Sequence, residues 1–414
     1  MWFFSKKKRE ARVALVCDIG SASVGVALVY TDTREKQPRV LYQTRTDIAF
    51  QKELDFPRFL TDVDTALNDA LARVVSEGMT RLSSHPHKSV DHVLCVLSSP
   101  WHTPYTKTVH TTFEKETEIT KEHLTAILRH EEETFRNEKP EEAPGTRVTI
   151  ERIITGSVLN GYTMTDPVGK HASNLGVSLF ISVSSELLLN RLRDIITQHV
   201  HPTREIIFHS FSLVSATVVR DLFPNKNDFL MVDVTGEVTD ITLVIDDIPE
   251  GVASFPLGAR TFLRGIAKEL DANPDEARSA LHLYAEKKAT SKSALKVESA
   301  LFAYGEKWQK GFREALTALA QQNALPADVF LSTDTDMQTT FADFIRAEHG
   351  SQILLSDATF RVTPLSAALF VNSISIPKES EVRDVFLLLE TFFLAERLRE
   401  VNTNHSPSTH GVVI

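Results

Sequence analysis

Two stretches of this chain carry the residue types most able to do chemistry. The first is Val13-Ala14-Leu15-Val16-Cys17-Asp18-Ile19-Gly20-Ser21-Ala22-Ser23-Val24-Gly25-Val26-Ala27-Leu28-Val29. It reads as an apolar strand, a small polar turn and a second apolar strand. Asp18 closes the first strand, where a carboxylate can face a bound cation or its water. Gly20 permits the sharp backbone path of a tight hairpin turn. Ser21 and Ser23 offer hydroxyls and backbone N–H groups to an anion held over the turn. The second stretch, 229–245, repeats the plan: an apolar strand ending near Asp233, a turn at Thr235-Gly236-Glu237, and a strand that begins beside Asp240. Further on, Gly258 stands at the start of a helix, where backbone N–H groups can approach a phosphate. Taken singly, each hairpin is equally well a phosphate cradle or an ordinary buried hairpin.

The elements that must position these residues are those of a sizeable α/β protein. At 414 residues, with 42% hydrophobic and 24% charged residues, the chain can build at least two domains with their own cores. A net charge of −10 argues against a general nucleic-acid binder. Cys17 and Cys95 lie in apolar strand-like runs and read as core thiols of a reducing compartment. No signal peptide and no run of membrane-spanning length is visible, which points to a cytoplasmic protein. Apolar residues at helical spacing predict a helix from Phe56 to Glu77. Helices are also predicted over 186–200, 212–222, 258–270, 295–319 and 337–348, with Pro274 opening another. Strands are predicted over 90–97, 107–113, 148–155, 158–164, 174–184, 206–208, 252–257 and 328–331. The charged, Pro-bearing stretch Glu131 to Pro144 reads as an exposed loop. His85, His87, His199 and His201 lack Cys or acidic companions and read as loop residues, not metal ligands.

Two hairpins of one plan in separate halves suggest duplicated lobes around a shared cleft. With Ser98-Ser99-Pro100, Asp166-Pro167-Val168-Gly169 and Ser212-Leu213-Val214-Ser215-Ala216, they give a sequence that resembles the actin-like ATPase superfamily over roughly residues 10 to 375. Within it the likeness is to the bacterial cell-division protein FtsA and the pilus-assembly protein PilM. The resemblance implies a two-lobed, ribonuclease H-like duplicated fold with a small inserted α+β subdomain. It implies a first lobe over 13–82 and 174–225, the insertion over 83–173 and a second lobe over 226–376. ATP would contact Asp18, Gly20, Ser21, Ser23, Asp233, Thr235, Gly236, Asp240 and Gly258, with Mg held through water by Asp18 and Asp233. The insertion would contact protein partners, a division-filament tail or a segment of a pilus inner-membrane protein, and the chain could self-assemble into a polymer.

Other features depart from that pattern. The second phosphate turn has one glycine where the family has several, and Glu237 adds a negative charge where phosphates should approach. The stretch Ser332-Thr333-Asp334-Thr335-Asp336 replaces the paired glycines expected under adenosine. No base for activating water stands out in Phe208 to Ala216. The expectation is therefore a scaffold with weak or vestigial ATP binding and slow or absent turnover. The alternatives are a small-molecule kinase of the same superfamily or a nucleotide-free adaptor. At the N-terminus, 1–12 is a basic aromatic tail in which Trp2, Phe3 and Phe4 precede Lys6 to Arg9, a composition suited to weak contact with an anionic membrane surface or to a solvated tail. At the other end, 377–401 is an apolar helix suited to docking against protein, and 402–414 reads as a disordered tail.

Overall fold

The computed structural model describes residues 11–32, 35, 37–85, 88–138, 146–164, 166–203, 206–321, 324–348, 359–376, 383–403 and 412–413. The aromatic and basic residues of the N-terminal tail, Trp2 to Arg9, lie outside these.

The first part of the chain runs β1 (Ala11–Ile19), β2 (Ser23–Asp32), β3 (Arg39–Asp47), α1 (Phe56–Arg73), β4 (His92–Leu97), β5 (His102–Glu118) and α2 (Lys121–Glu138). It continues with β6 (Arg147–Leu159), β7 (Tyr162–Met164), β8 (His171–Ser185), α3 (Glu186–His199), β9 (Ile206–Ser210) and α4 (Phe211–Leu222). The second part runs β10 (Phe229–Val234), β11 (Thr239–Ile245), β12 (Ile248–Phe255), α5 (Ala259–Leu270), α6 (Pro274–Ala285) and α7 (Ser291–Leu319). It ends with β13 (Asp328–Ser332), α8 (Gln338–Ala347), β14 (Arg361–Pro364), α9 (Val385–Thr403) and β15 (Val412–Val413).

These strands form three sheets. One has the order β3-β2-β1-β4-β9, another β12-β11-β10-β13-β14, and the third β15-β6-β8-β5 with β7 against β6. The first two follow one scheme. Three antiparallel strands come in succession, and two parallel strands then follow on the far side of the first. β10 thus stands in its sheet as β1 does in its own, and the duplication read from the two hairpins is a duplication of whole sheets.

Period-two alternation gives each central strand two apolar faces. Val13, Leu15, Cys17 and Ile19 face a core built with α1 and α3, while Leu230, Val232 and Val234 face a core built with α5, α7 and α8. The other faces, Ala14 and Val16 on β1 and Phe229 and Met231 on β10, meet in a common core with α4 and α9. The apolar C-terminal helix therefore docks against this chain's own lobes. Its Leu387, Leu388 and Leu389 are buried, which explains an apolar content too high for a solvated helix.

Several boundaries differ from the sequence reading. β4, expected within the insertion, pairs in parallel with β1 in the first sheet. β8, expected in the first lobe, is the centre of the third sheet and pairs with both β5 and β6. Both are buried over most of their length, so apolar composition alone gives no indication of which sheet they join. The first-sheet strand begins at Ala11, inside the stretch read as a tail. The expected loop after Glu131 is helix as far as Glu138. Glu131 and Glu132 are buried there, the first bound to Lys107 Nζ at 2.7 Å and the second to Thr149 Oγ1 at 2.6 Å. Charge paired in this way no longer signals solvent. In the tail, Val412 and Val413 are paired with β6.

Candidate functional site

Asp18 and Asp233 occupy equivalent places. Each ends the inner face of its central strand, and the carboxylates are 2% and 3% exposed. Across the first hairpin Asp18 pairs with Gly25, and across the second Asp233 pairs with Asp240. The alternation that buries Val16 and Met231 between the lobes thus carries both carboxylates into that space.

At Asp18 the missing side chain of Gly25 makes room for a cation. Arg45 of β3 reaches over Gly25, and Nη2 donates to Asp18 Oδ2 at 2.6 Å. A Cβ at Gly25 would lie 2.7 Å from that same Nη2. Arg45 also binds Ser23 Oγ at 2.9 Å and Asp384, just before α9, at 2.5 Å and 3.0 Å. Glu390 of α9 is wholly buried beside Asp18, and the two carboxyl groups hydrogen-bond to each other. Burial raises the pKa of the Asp18 carboxyl even with Arg45 opposing it, and burial together with Asp18 raises that of Glu390 well above the usual carboxylate range.

At the second hairpin Asp233 accepts a hydrogen bond from Ser332 Oγ at 2.5 Å. Burial nonetheless pushes its carboxyl well above the ordinary value, and Asp240 and Asp18 add to the effect. Glu237 does not face the turn where phosphates were expected. It forms an ion pair with Arg264 Nη2 at 2.5 Å and Nη1 at 3.1 Å. Ser332 belongs to β13, and the following Thr335–Met337 forms a short 3-10 turn.

The two hairpin tips touch. Ser21 is wholly buried; its hydroxyl donates to Thr235 Oγ1 at 3.0 Å and accepts from the Glu237 N–H at 3.0 Å. A Cβ on Gly236 would lie 2.8 Å from both Ala22 Cβ and Ala22 N, so the turns are in backbone contact. Arg260 of α5 completes the closure by donating to the carbonyls of Ala22 at 2.8 Å and Ala49 at 3.2 Å, and to that of Ile48. Phe50 lies beneath both Arg260 and Arg264. Trp101 Nε1 donates to the Gly20 carbonyl at 2.7 Å from the other side.

These contacts decide whether a nucleoside triphosphate fits. Several of the donors assigned to phosphate are already engaged, the Ser21 and Ser23 hydroxyls among them. The Gly20 N–H donates to the Ser23 carbonyl, and the Thr235 N–H to that of Val238. The N–H groups after Gly258, of Ala259 and Arg260, donate at 2.8 Å to the carbonyls of Thr235 and Gly236. What remains open is acceptor chemistry: among the described residues Asp233 Oδ2 and Asp240 Oδ1 are buried without partners, while Asp18 faces the carboxyl group of Glu390. Carboxyl groups buried in this way suit protons or a cation, not a phosphate oxygen. Among the described residues, however, no three His, Cys, Asp or Glu side chains are arranged to hold a metal ion. The closed arrangement does not fit a triphosphate between the turns.

The sequence reading missed Arg45, Asp384, Glu390, Arg260, Arg264 and Trp101. Glu390 left a signal, a lone carboxylate within the apolar run from Val385 to Leu394. The others sit in ordinary amphipathic patterns, and only their tertiary neighbours distinguish them.

Duplicated sheets, two helices between them and paired hairpins at one end define the two-lobed actin-like ATPase fold. The particular likeness is to a structure described as a PilM-PilN type IV pilus biogenesis complex, with a TM-score of 0.59 and 12% identity over 95% of this chain and 99% of that one. MreB 5 of Spiroplasma citri bound to AMPPNP superposes with a TM-score of 0.42 and 10% identity, over 95% of this chain and 98% of the other. The ethanolamine utilization protein EutJ from Carboxydothermus hydrogenoformans gives 0.41 and 12%, over 93% and 89%. No family model matches the chain, and no curated protein matches it.

Proposed function

We propose that this chain is an actin-fold scaffold whose lobes are held closed by protein contacts in place of nucleotide. The observation that carries the reading is the Ser21 hydroxyl, which bonds both Thr235 and the Glu237 N–H across the space a phosphate chain would need. The nucleotide-free adaptor is thus favoured over weak ATP binding, and over a kinase, which needs ATP as phosphoryl donor. By likeness of fold to a PilM-PilN complex, the partner is a protein segment, and the third sheet is the surface for it. The chain would work in the cytoplasm beside a membrane-associated pilus or division assembly. Among the described residues no helix is long and apolar enough to cross a membrane. Residues 1–10 would supply peripheral contact, and self-assembly into a polymer would fit the same role.

Calorimetry of the full chain with ATP and magnesium tests the reading. No saturable heat up to millimolar nucleotide is expected. Micromolar binding accompanied by phosphate release would overturn it. Affinity capture with the intact chain, followed by identification of the bound protein, tests the partner.

A further inference from the structure

The two sides of β6 are treated differently. On one side β8 pairs with it almost end to end, from Arg147↔Ser185 to Leu159↔Leu175. On the other side β7 covers only Ser157, Val158 and Leu159. Towards the opposite end Glu151 is tied to β9, through His209 Nδ1 at 2.6 Å and Ser210 Oγ at 2.5 Å. Between these two blocks lies a short slot from Arg152 to Gly156, regular from Arg152 to Ile154 and bulged between Ile154 and Gly156. A strand paired on one side turns alternate N–H and C=O groups outward on the other, and such a row is a template for another strand. In this slot Val412 and Val413 pair antiparallel with Ile154 and Ile153. Beside it is a cavity lined by Ile153, Thr155, Leu213 and Ala216 together with Arg220 and Arg397.

We infer that the Arg152–Gly156 edge of β6 is a strand-addition site for an extended apolar segment of a partner protein, and that this chain's own C-terminal strand β15 occupies it in cis. The pairing rests on backbone register alone; the source of the incoming strand rests on the scaffold reading above. The tail has the composition for the task. After a polar stretch the sequence ends in Gly411-Val412-Val413-Ile414, whose β-branched residues favour strand over helix. It also has the reach. Residues 404–411 separate the end of α9 from Val412, and so many residues span up to about 30 Å when extended. A two-residue strand is weak as a free peptide, but tethering gives it an effective concentration on the order of millimolar. An incoming strand then meets a site that is open only part of the time, and its apparent affinity falls by that fraction.

Proline lacks the N–H a strand donates, so Val412→Pro/Val413→Pro in the full chain removes the pairing without touching either lobe core. Only one amide of the Ile153–Ile154 pair faces β15, because successive N–H groups point to opposite sides. That amide should exchange with deuterium at least tenfold faster in the variant. A labelled peptide of residues 409–414 should bind the variant at least tenfold more tightly than the wild type. Unchanged exchange, or equal peptide binding by both proteins, would overturn the inference. So would protection of that amide that appears only as wild-type chains dimerise on size-exclusion chromatography, since the strand would then come from a second copy. Neither measurement uses nucleotide, so ATP binding by the chain would leave this test standing on its own.

Discussion

Ser21 Oγ and Thr235 Oγ1 lie 3.0 Å apart, although 214 residues separate them in the chain. The two residues sit at the tips of duplicated hairpins, and their hydrogen bond closes the space between the lobes. This one contact links the duplication to the functional reading, because a scaffold held shut by its own turns does not need a ligand to set the angle between its lobes.

Ser21→Ala removes a donor and an acceptor at a wholly buried position and leaves the Glu237 N–H unpaired. A loss of about 1–3 kcal/mol in urea denaturation is expected. Gly236→Ala drives a methyl into Ala22, and small-angle scattering should report a larger radius of gyration as the tips part. If both variants match the wild type, the contact between the tips is not what closes the lobes.

Arg45→Met leaves Asp18 and Asp384 buried without their cation, and about 3–5 kcal/mol of stability should be lost at neutral pH. Gly25→Ala should show part of this effect, about 1–3 kcal/mol, because the added Cβ displaces the guanidinium and meets Leu387 Cγ at 3.2 Å. Denaturation midpoints of the two single variants and the double variant measure the coupling. Strictly additive losses would show that Gly25 does not act through Arg45.

The pH dependence follows from Asp233. Burial raises its folded pKa, so above the ordinary carboxylate range the native state keeps a proton that the unfolded chain releases. Stability contributed by that proton is present in acid and is lost as pH rises through this window. Asp233→Asn keeps an oxygen to accept from Ser332 and removes the titration. The variant should gain on the wild type progressively from pH 4 to neutrality. A constant difference across that range would refute the assignment.

Glu237→Gly would improve a phosphate turn only if Glu237 faced it. The structure gives it the opposite outcome, because Glu237 pairs with Arg264 instead of facing the turn. A loss of about 1–3 kcal/mol and no gain in ATP binding are expected. Calorimetry and urea titration on this variant check both halves.

Cys17 and Cys95 face each other in register on β1 and β4, both wholly buried, and burial raises both thiol pKa values far above the ordinary range. Neither should react with a thiol reagent in the native protein, and both should react once it is unfolded. Rapid native labelling of either would show that the first lobe opens readily.

The sequence alone determined what is local or periodic. Apolar runs broken at Gly20 and Gly236 specified the two hairpins, helical spacing specified α1 and α5, and the repeated plan specified two lobes, because alternation and turn chemistry are properties of neighbouring residues. The tertiary structure decided what depends on distance between remote segments. The path of β4 to the first sheet and of β8 to the third was one such outcome, since both strands are apolar enough to be buried anywhere. The partner of Glu237 was another: the same carboxylate beside a turn repels phosphate or binds Arg264, according to where α5 packs. Asp18 and Ser21 stood out in the sequence because their types suit a cation or phosphate site. That Arg45 would neutralise the first and Thr235 engage the second followed only once the lobes were packed together, because a residue's type sets what it can bond and the fold sets what lies within reach.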